Sequence, residues 1–202
     1  KAALDKRLVD NELWFRMGHW KNYQNPMMEG KPQTSSGWLF NSIANKHADA
    51  MDNYPAPNVL PRAADDEQTA RVLSSILPVV LEQADYEQVY SDTWWRKLKQ
   101  GTGVKGIFWD PEQHGGVGEI AIRPMNLLML YWEPGVEDIQ ASPHFFSLNM
   151  WNTKQLEARW PQLKGHSASV LDVPRFIHDG GLDTSEKSVV VDWYYKKPDE
   201  AG

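Results

Sequence analysis

Four residues able to move protons lie together in the stretch DPEQHGGVGE: Asp110, Glu112, His114 and Glu119. Carboxylates beside an imidazole form an acid/base group when burial and neighbouring charge pull their pKa values apart. The glycines among them, Gly115, Gly116 and Gly118, mark a turn, and a polar turn is the ordinary way to solvate a hairpin. The spacing does not follow the calcium-loop pattern of alternating oxygen ligands and a distal Glu. Asp65, Asp66 and Glu67 make a second acidic group, and Glu133, Glu137 and Asp138 a third. The second reads as a helix opening, where carboxylates face the positive end of the dipole. His19, His47, His114, His144, His166 and His178 contain no close pair spaced for one ion, and the chain has no cysteine. We therefore expect no metal site. Without GxSxG, GxxxxGK[ST] or GxGxxG in its strand-to-helix setting, no catalytic or cofactor-binding residue is assigned and no cofactor is expected.

Charge points the same way. The 202 residues carry 21 Lys plus Arg against 27 Asp plus Glu, a formal net charge of −6, so a polyanion is repelled on average. Lys97, Lys99 and Lys105, and the pair Lys196 and Lys197, are too sparse for a nucleic-acid patch and read as solvated surface. The absence of cysteine fits an intracellular compartment. No apolar run reaches the roughly 20 residues of a membrane span, and the charged start KAALDKRLVDNE lacks the apolar core of a signal peptide. The chain opens at Lys1 and stops at DEAG soon after a strand-like run, so we expect it to be part of a longer polypeptide.

Ten tryptophans are dispersed along the chain. Trp brings a large apolar area with one polar handle, which suits cores and subunit contacts. Trp14, Trp20, Trp38, Trp94, Trp151 and Trp160 are the candidates for subunit contact.

The elements that hold these residues follow from periodicity. Leu4 to Tyr23 reads as a helix ended by Asn25 and Pro26. Thr34, Ser35 and Ser36 offer N-caps for a second helix through about Asn53, with Leu39, Ile43, His47, Ala50 and Tyr54 on one face. His47 on that stripe reads as a hydrogen-bonded packing residue. Prolines across Tyr54 to Arg62 exclude a helix and favour an extended connector or edge strand. A third helix opens at Asp65 and carries Ala70, Leu73, Leu77, Val80, Leu81 and Ala84, with a kink or change of face expected at Pro78. Tyr86 to Lys99 continues with Tyr90, Trp94 and Leu98, and stops at Gly101 and Gly103.

Beyond that point the period becomes alternating. Val104 to Asp110 and Gly118 to Pro124 read as the strands of a β-hairpin. Leu127 to Trp132, His144 to Trp151 and Ser188 to Tyr195 are further strands, and Asn152 or Thr153 caps a short helix ending before Pro161. Gly165 to Ser185 has little periodicity and reads as a disordered or partner-ordered loop. The fold class is α+β, with N-terminal helices preceding a mostly antiparallel sheet. We divide the chain into a helical part, residues 1–100, and a β-rich part, residues 101–202, and read them as halves of one structural unit.

This order of segments resembles the N-terminal wing of the portal proteins, or head-to-tail connectors, of tailed double-stranded DNA bacteriophages. The resemblance rests on ELWFRMGHW at Glu12 to Trp20, PAPNVLPR at Pro55 to Arg62 followed by DDEQTA, KQGTGVKGIFWDP at Lys99 to Pro111, and GGVGEIAIRP at Gly115 to Pro124. TKQLEARWPQL and SVVVDWYYKK continue it to about residue 197, while His166 to Thr184 matches nothing in the pattern. It implies a structural subunit of a homo-oligomeric ring, usually of twelve copies, at the capsid vertex of the virion, assembled in the bacterial cytoplasm. The implied partners are the major capsid protein and double-stranded DNA passing without sequence-specific contacts. Tail adaptor and terminase would bind parts of the protein outside this sequence. The channel-lining stem, clip and crown would also lie outside it. A conduit must hold DNA weakly, and a net negative chain fits that demand.

Two readings of other classes compete. A Trp-rich carbohydrate- or peptide-binding module requires exposed aromatics on a sheet face. A hydrolase requires the hairpin carboxylates, or Glu133 to Asp138, to converge on a substrate, with Glu119 and Asp138 as its test positions.

Overall fold

The structure is a computed structural model that describes residues 1–21, 30–165 and 186–196. The fold is α+β, with helices first and two antiparallel sheets after them. Two compact units divide the chain: one is Leu13–Met125, the other joins Lys1–Glu12 to Asn126–Gly202.

The larger unit opens with the end of α1 (Ala2–Phe15). That helix stops well short of the expected Tyr23, because Met17 enters the left-handed region at φ 57°. Gly18 N–H then donates to Leu13 O at 2.9 Å and Met17 N–H to Trp14 O at 3.1 Å. These are the paired bonds of a Schellman stop, with Met where Gly is usual. A Cβ at Gly18 would lie 2.4 Å from Leu13 Cδ1, so a larger residue there would displace the Leu13 side chain. Helix α2 (Trp38–Asp52) is preceded by Gly37, which makes no side-chain cap bond. The Thr34, Ser35 and Ser36 caps expected from sequence are therefore not used.

The extended segment from Tyr54 to Pro61 forms no strand. Ser74 pins it instead, with Val59 N–H donating to Ser74 Oγ at 3.0 Å and the hydroxyl lying 3.3 Å from Val59 O. Helix α3 (Glu67–Gln83) follows a single 3-10 turn and runs through Pro78 as one element. Asp85, at φ 48°, separates it from α4 (Tyr86–Gln100). Asp tolerates this backbone region better than most non-glycine residues. Gly101 closes α4 at φ 83° with its N–H on Lys97 O at 2.8 Å, as its sequence position indicates.

Strands β1 (Val104–Asp110) and β2 (Glu119–Met125) pair antiparallel, Val104 opposite Met125 through Asp110 opposite Glu119. This is the expected hairpin, and it packs on α4. Leu13, Ile43, Ala70, Val89, Thr93, Gln100 and Ile122 are buried in this unit.

In the smaller unit the expected strand over Leu127 to Trp132 is shorter. Asn126 Oδ1 accepts from Leu128 N at 3.1 Å and winds Leu127–Met129 into a 3-10 turn, leaving β3 (Leu130–Trp132). It joins β4 (His144–Asn152) and β5 (Lys187–Tyr195) in the order β3-β4-β5. Asn152 caps α5 (Thr153–Arg159) through its side chain, accepting from Lys154 N at 2.9 Å. Leu127, Leu128, Leu130 and Leu156 are buried, and so are Ser147 and Ser188. Lys1 Nζ donates to Leu127 O at 2.7 Å and stands 4.8 Å from the centre of the Tyr131 ring. The weakly periodic stretch and its His166 and His178 lie outside the described residues, apart from Gly165, as does Lys197.

Candidate functional site

The hairpin turn resolves its chemistry-bearing residues into two separate, solvent-facing pairs. Asp110 Oδ2 accepts from Arg123 and from Gln113 Nε2, both at 3.3 Å, and Asp110 Oδ1 accepts from Glu112 N at 3.2 Å. His114 Nε2 lies 2.7 Å from Glu119 Oε2. Four residues of this turn hold positive φ: His114 at 50°, Gly115 at 68°, Gly116 at 97° and Gly118 at 86°. These two contacts brace a turn with a left-handed backbone. Of the acidic cluster after β3, Asp138 Oδ1 accepts from Gln140 N at 2.9 Å, an Asx turn that starts a 3-10 segment. Asp65, Asp66 and Glu67 are all exposed. Among the described residues, no group of three or more His, Asp or Glu side chains converges to hold a metal ion. No described helix is long and apolar enough to cross a membrane.

Three lysines expected as free surface lie against rings. Lys97 Nζ stands 4.1 Å from the Trp94 ring centre, Lys99 4.9 Å from Phe15, and Lys105 4.7 Å from Tyr86. Tyr86, Tyr90 and Trp94 repeat every four residues along α4 and form a ladder of edge and tilted contacts, with Tyr54 edge-on to Tyr90 at 5.2 Å. Such stacking suits a position where ammonium groups lower the cost of half-burying aromatic faces. Burial lowers the pKa of Arg96 on the same helix, and the Asp92 carboxylate opposes that shift.

The six candidate tryptophans have different settings. Trp14 is half exposed and edge-on to His19 at 4.7 Å. Trp20 donates to Thr34 O at 3.0 Å. Trp38 is 81% exposed and borders a shallow cleft of about 260 Å³ with Met17, Gly37, Phe40 and Asn41. Trp94 belongs to the α4 ladder. Trp151 and Trp160 meet at 5.7 Å, with the Arg159 guanidinium over both rings. The structure brings Trp151 and Trp160 together and leaves Trp38 as the most open candidate.

Further open apolar residues lie outside that set. Helix α3 exposes Val72, Leu73, Ile76 and Val79. On the hairpin, Ile107 is 72% exposed, Trp109 62% and Val117 78%, and Ile120 stands across from Trp109. Trp109 lies flat over the turn because position 118 has no side chain: a Cβ there would be 2.4 Å from Trp109 Cζ2. On β5, Val191, Trp193 and Tyr195 point to one side of the sheet and are all more than half exposed. Phe146 stacks on Trp193 at 6.0 Å, and Trp193 Nε1–H donates to His144 Nδ1 at 3.3 Å.

A signal for these surfaces exists in the sequence. Residues 72–81 are apolar on almost every side of the helix, more than one buried face can use. Ile107 and Trp109 alternate with Phe108 along β1, so one face of a two-stranded ribbon had to remain open.

No protein-family model matches the chain. No curated protein matches it either.

Proposed function

We propose that the chain is a structural assembly subunit, the peripheral wing of a phage portal ring through which double-stranded DNA is packaged and ejected. The observation that carries this reading is the pair of open apolar strips in Leu13–Met125, on α3 and on the hairpin. A monomeric protein rarely leaves such contiguous apolar area in water, and rings form by repeating contacts between unlike surfaces of one subunit. The net charge of −6 supports weak handling of DNA, since 27 acidic residues outnumber 21 basic ones and repel phosphate on average. Helices leading into a glycine-started hairpin are the segment order that resembles portal wings. Negative-stain microscopy with mass photometry of the chain tests it: closed rings of uniform size are expected, and a strict monomer across the micromolar range contradicts it.

A second reading is favoured by one observation. Trp193 and Tyr195 are open on the same sheet face, the arrangement a carbohydrate-stacking platform needs. Titration with oligosaccharides followed by tryptophan fluorescence separates the two, because a platform responds with saturable quenching that Trp193→Ala abolishes.

A further inference from the structure

Trp193 and His144 are diagonal neighbours across β4 and β5, since His144 stands opposite Tyr195 and Phe146 opposite Trp193. The indole is seated among rings: Phe146 lies nearly parallel to it at 6.0 Å, Tyr195 tilts against it at 5.1 Å, and the His144 imidazole is 5.7 Å away. These contacts place the ring and leave its polar edge to one bond, Nε1–H donating to His144 Nδ1 at 3.3 Å. An indole nitrogen can only donate, so Nδ1 must be bare, and the proton of the neutral imidazole sits on Nε2. Among the described residues, no other hydrogen bond reaches the His144 ring.

Acid removes this bond. A protonated imidazole carries hydrogen on both nitrogens, which sets N–H against N–H between the two rings. We infer that His144 is a pH-sensitive latch on the Trp193 indole, closed when the imidazole is neutral and open when it is charged. Trp193 is 56% exposed and His144 is exposed too, so water can take over the freed N–H and the change stays within the two side chains. The ionisable groups on adjoining elements are Tyr195 and Lys196 at the end of β5, and Glu133, Glu137 and Asp138 between β3 and β4. Lys196 turns its ammonium to Gln140 O, and Asp138 accepts from Gln140 N. Glu133 N–H donates to Ser142 Oγ, whose hydroxyl donates to His144 O. These groups bias where the latch opens, whereas the state of Nδ1 decides whether it holds. Val191, Trp193 and Tyr195 share one open face, so acidification loosens the middle member of that row. The latch acts within a single copy of the chain, independently of ring assembly.

The test follows the indole N–H signal of Trp193 by proton–nitrogen NMR on the whole chain, assigned as the one missing from Trp193→Phe. Between about pH 8 and about pH 4, the unsubstituted chain should show a single upfield step of that signal, with faster exchange against water below it. His144→Asn keeps an acceptor oxygen where Nδ1 stands and has no proton to gain, so its signal should hold still over the same range. The ring-nitrogen shifts of His144 in the unsubstituted chain, which do not depend on how any variant folds, should show the Nε2–H form above the step. An indole signal that does not move with pH, an equal step in His144→Asn, or the Nδ1–H form of the imidazole would each overturn the latch.

Discussion

His47 and Trp95 stack face to face, with ring centroids 4.2 Å apart and planes 18° from parallel. The same imidazole places Nε2 3.1 Å from Ser91 Oγ and 3.3 Å from Ser91 O, fastening α2 to α4 through one side chain. Phe15 meets the far side of this cluster, edge-on to Trp95 at 5.9 Å. The histidine that could have been read as a ligand is a packing residue with a satisfied polar end.

His47→Ala should therefore cost about 1–2 kcal/mol, the sum of a lost stack and a lost hydrogen bond. His47→Phe keeps the stack and should cost less. Urea denaturation measures both, and a double-mutant cycle with Trp95→Ala should show coupling of about 0.5–1.5 kcal/mol. Additive losses would mean the rings do not interact.

Gly118→Ala should destabilise by about 1–3 kcal/mol, because the position combines a positive φ with a ring lying where the methyl would go. Val117→Ala beside it, at an exposed position, should stay within about 0.5 kcal/mol. The pair of variants, compared by chemical denaturation, isolates the Trp109–Gly118 contact from general loop effects.

Met17→Gly should raise stability by up to about 1 kcal/mol, since relief of the left-handed strain at φ 57°, about 1–2 kcal/mol, exceeds the unfolded-chain entropy that Gly adds, about 0.4–1 kcal/mol. A higher thermal midpoint for the variant is the expected reading. A lower one would mean that the α1 stop is not held in this geometry.

Alkaline pH should weaken the fold through its tyrosines. Burial raises the Tyr131 phenol above its usual 10.0, and the Asp5 carboxylate adds to the shift. Tyr54 and Tyr194 are raised in the same direction, mainly by burial. The folded state then holds protons that the unfolded state has released, so this stability is complete below about pH 10 and falls as pH rises through the folded pKa. Tyr131→Phe should lose less stability than the unsubstituted chain between about pH 9 and pH 11 in parallel urea titrations.

The legible part of the fold was the part set by local rules. Gly101 marked the end of α4, Asn152 the start of α5, and the run of glycines after Asp110 the hairpin turn, because each supplies a backbone geometry or a cap directly. The misread boundaries depended on choices that composition leaves open. Met17 takes a position usually filled by Gly, and Asn126 diverts three apolar residues into a 3-10 turn before β3. Tryptophan content pointed to the open Trp38 but not to the open aliphatic residues. Trp94 and Trp151 are satisfied by lysine, arginine and neighbouring rings, whereas Ile76, Ile107 and Trp109 are left open by how the elements face one another.

The mass distribution of the chain in solution, recorded by native mass spectrometry as concentration rises, tests the central claim most directly. Assembly through the exposed α3 and hairpin strips predicts a jump from monomer to one closed ring of fixed copy number, with few intermediates. A single monomer peak at every concentration, or an unbounded ladder of sizes, would contradict it.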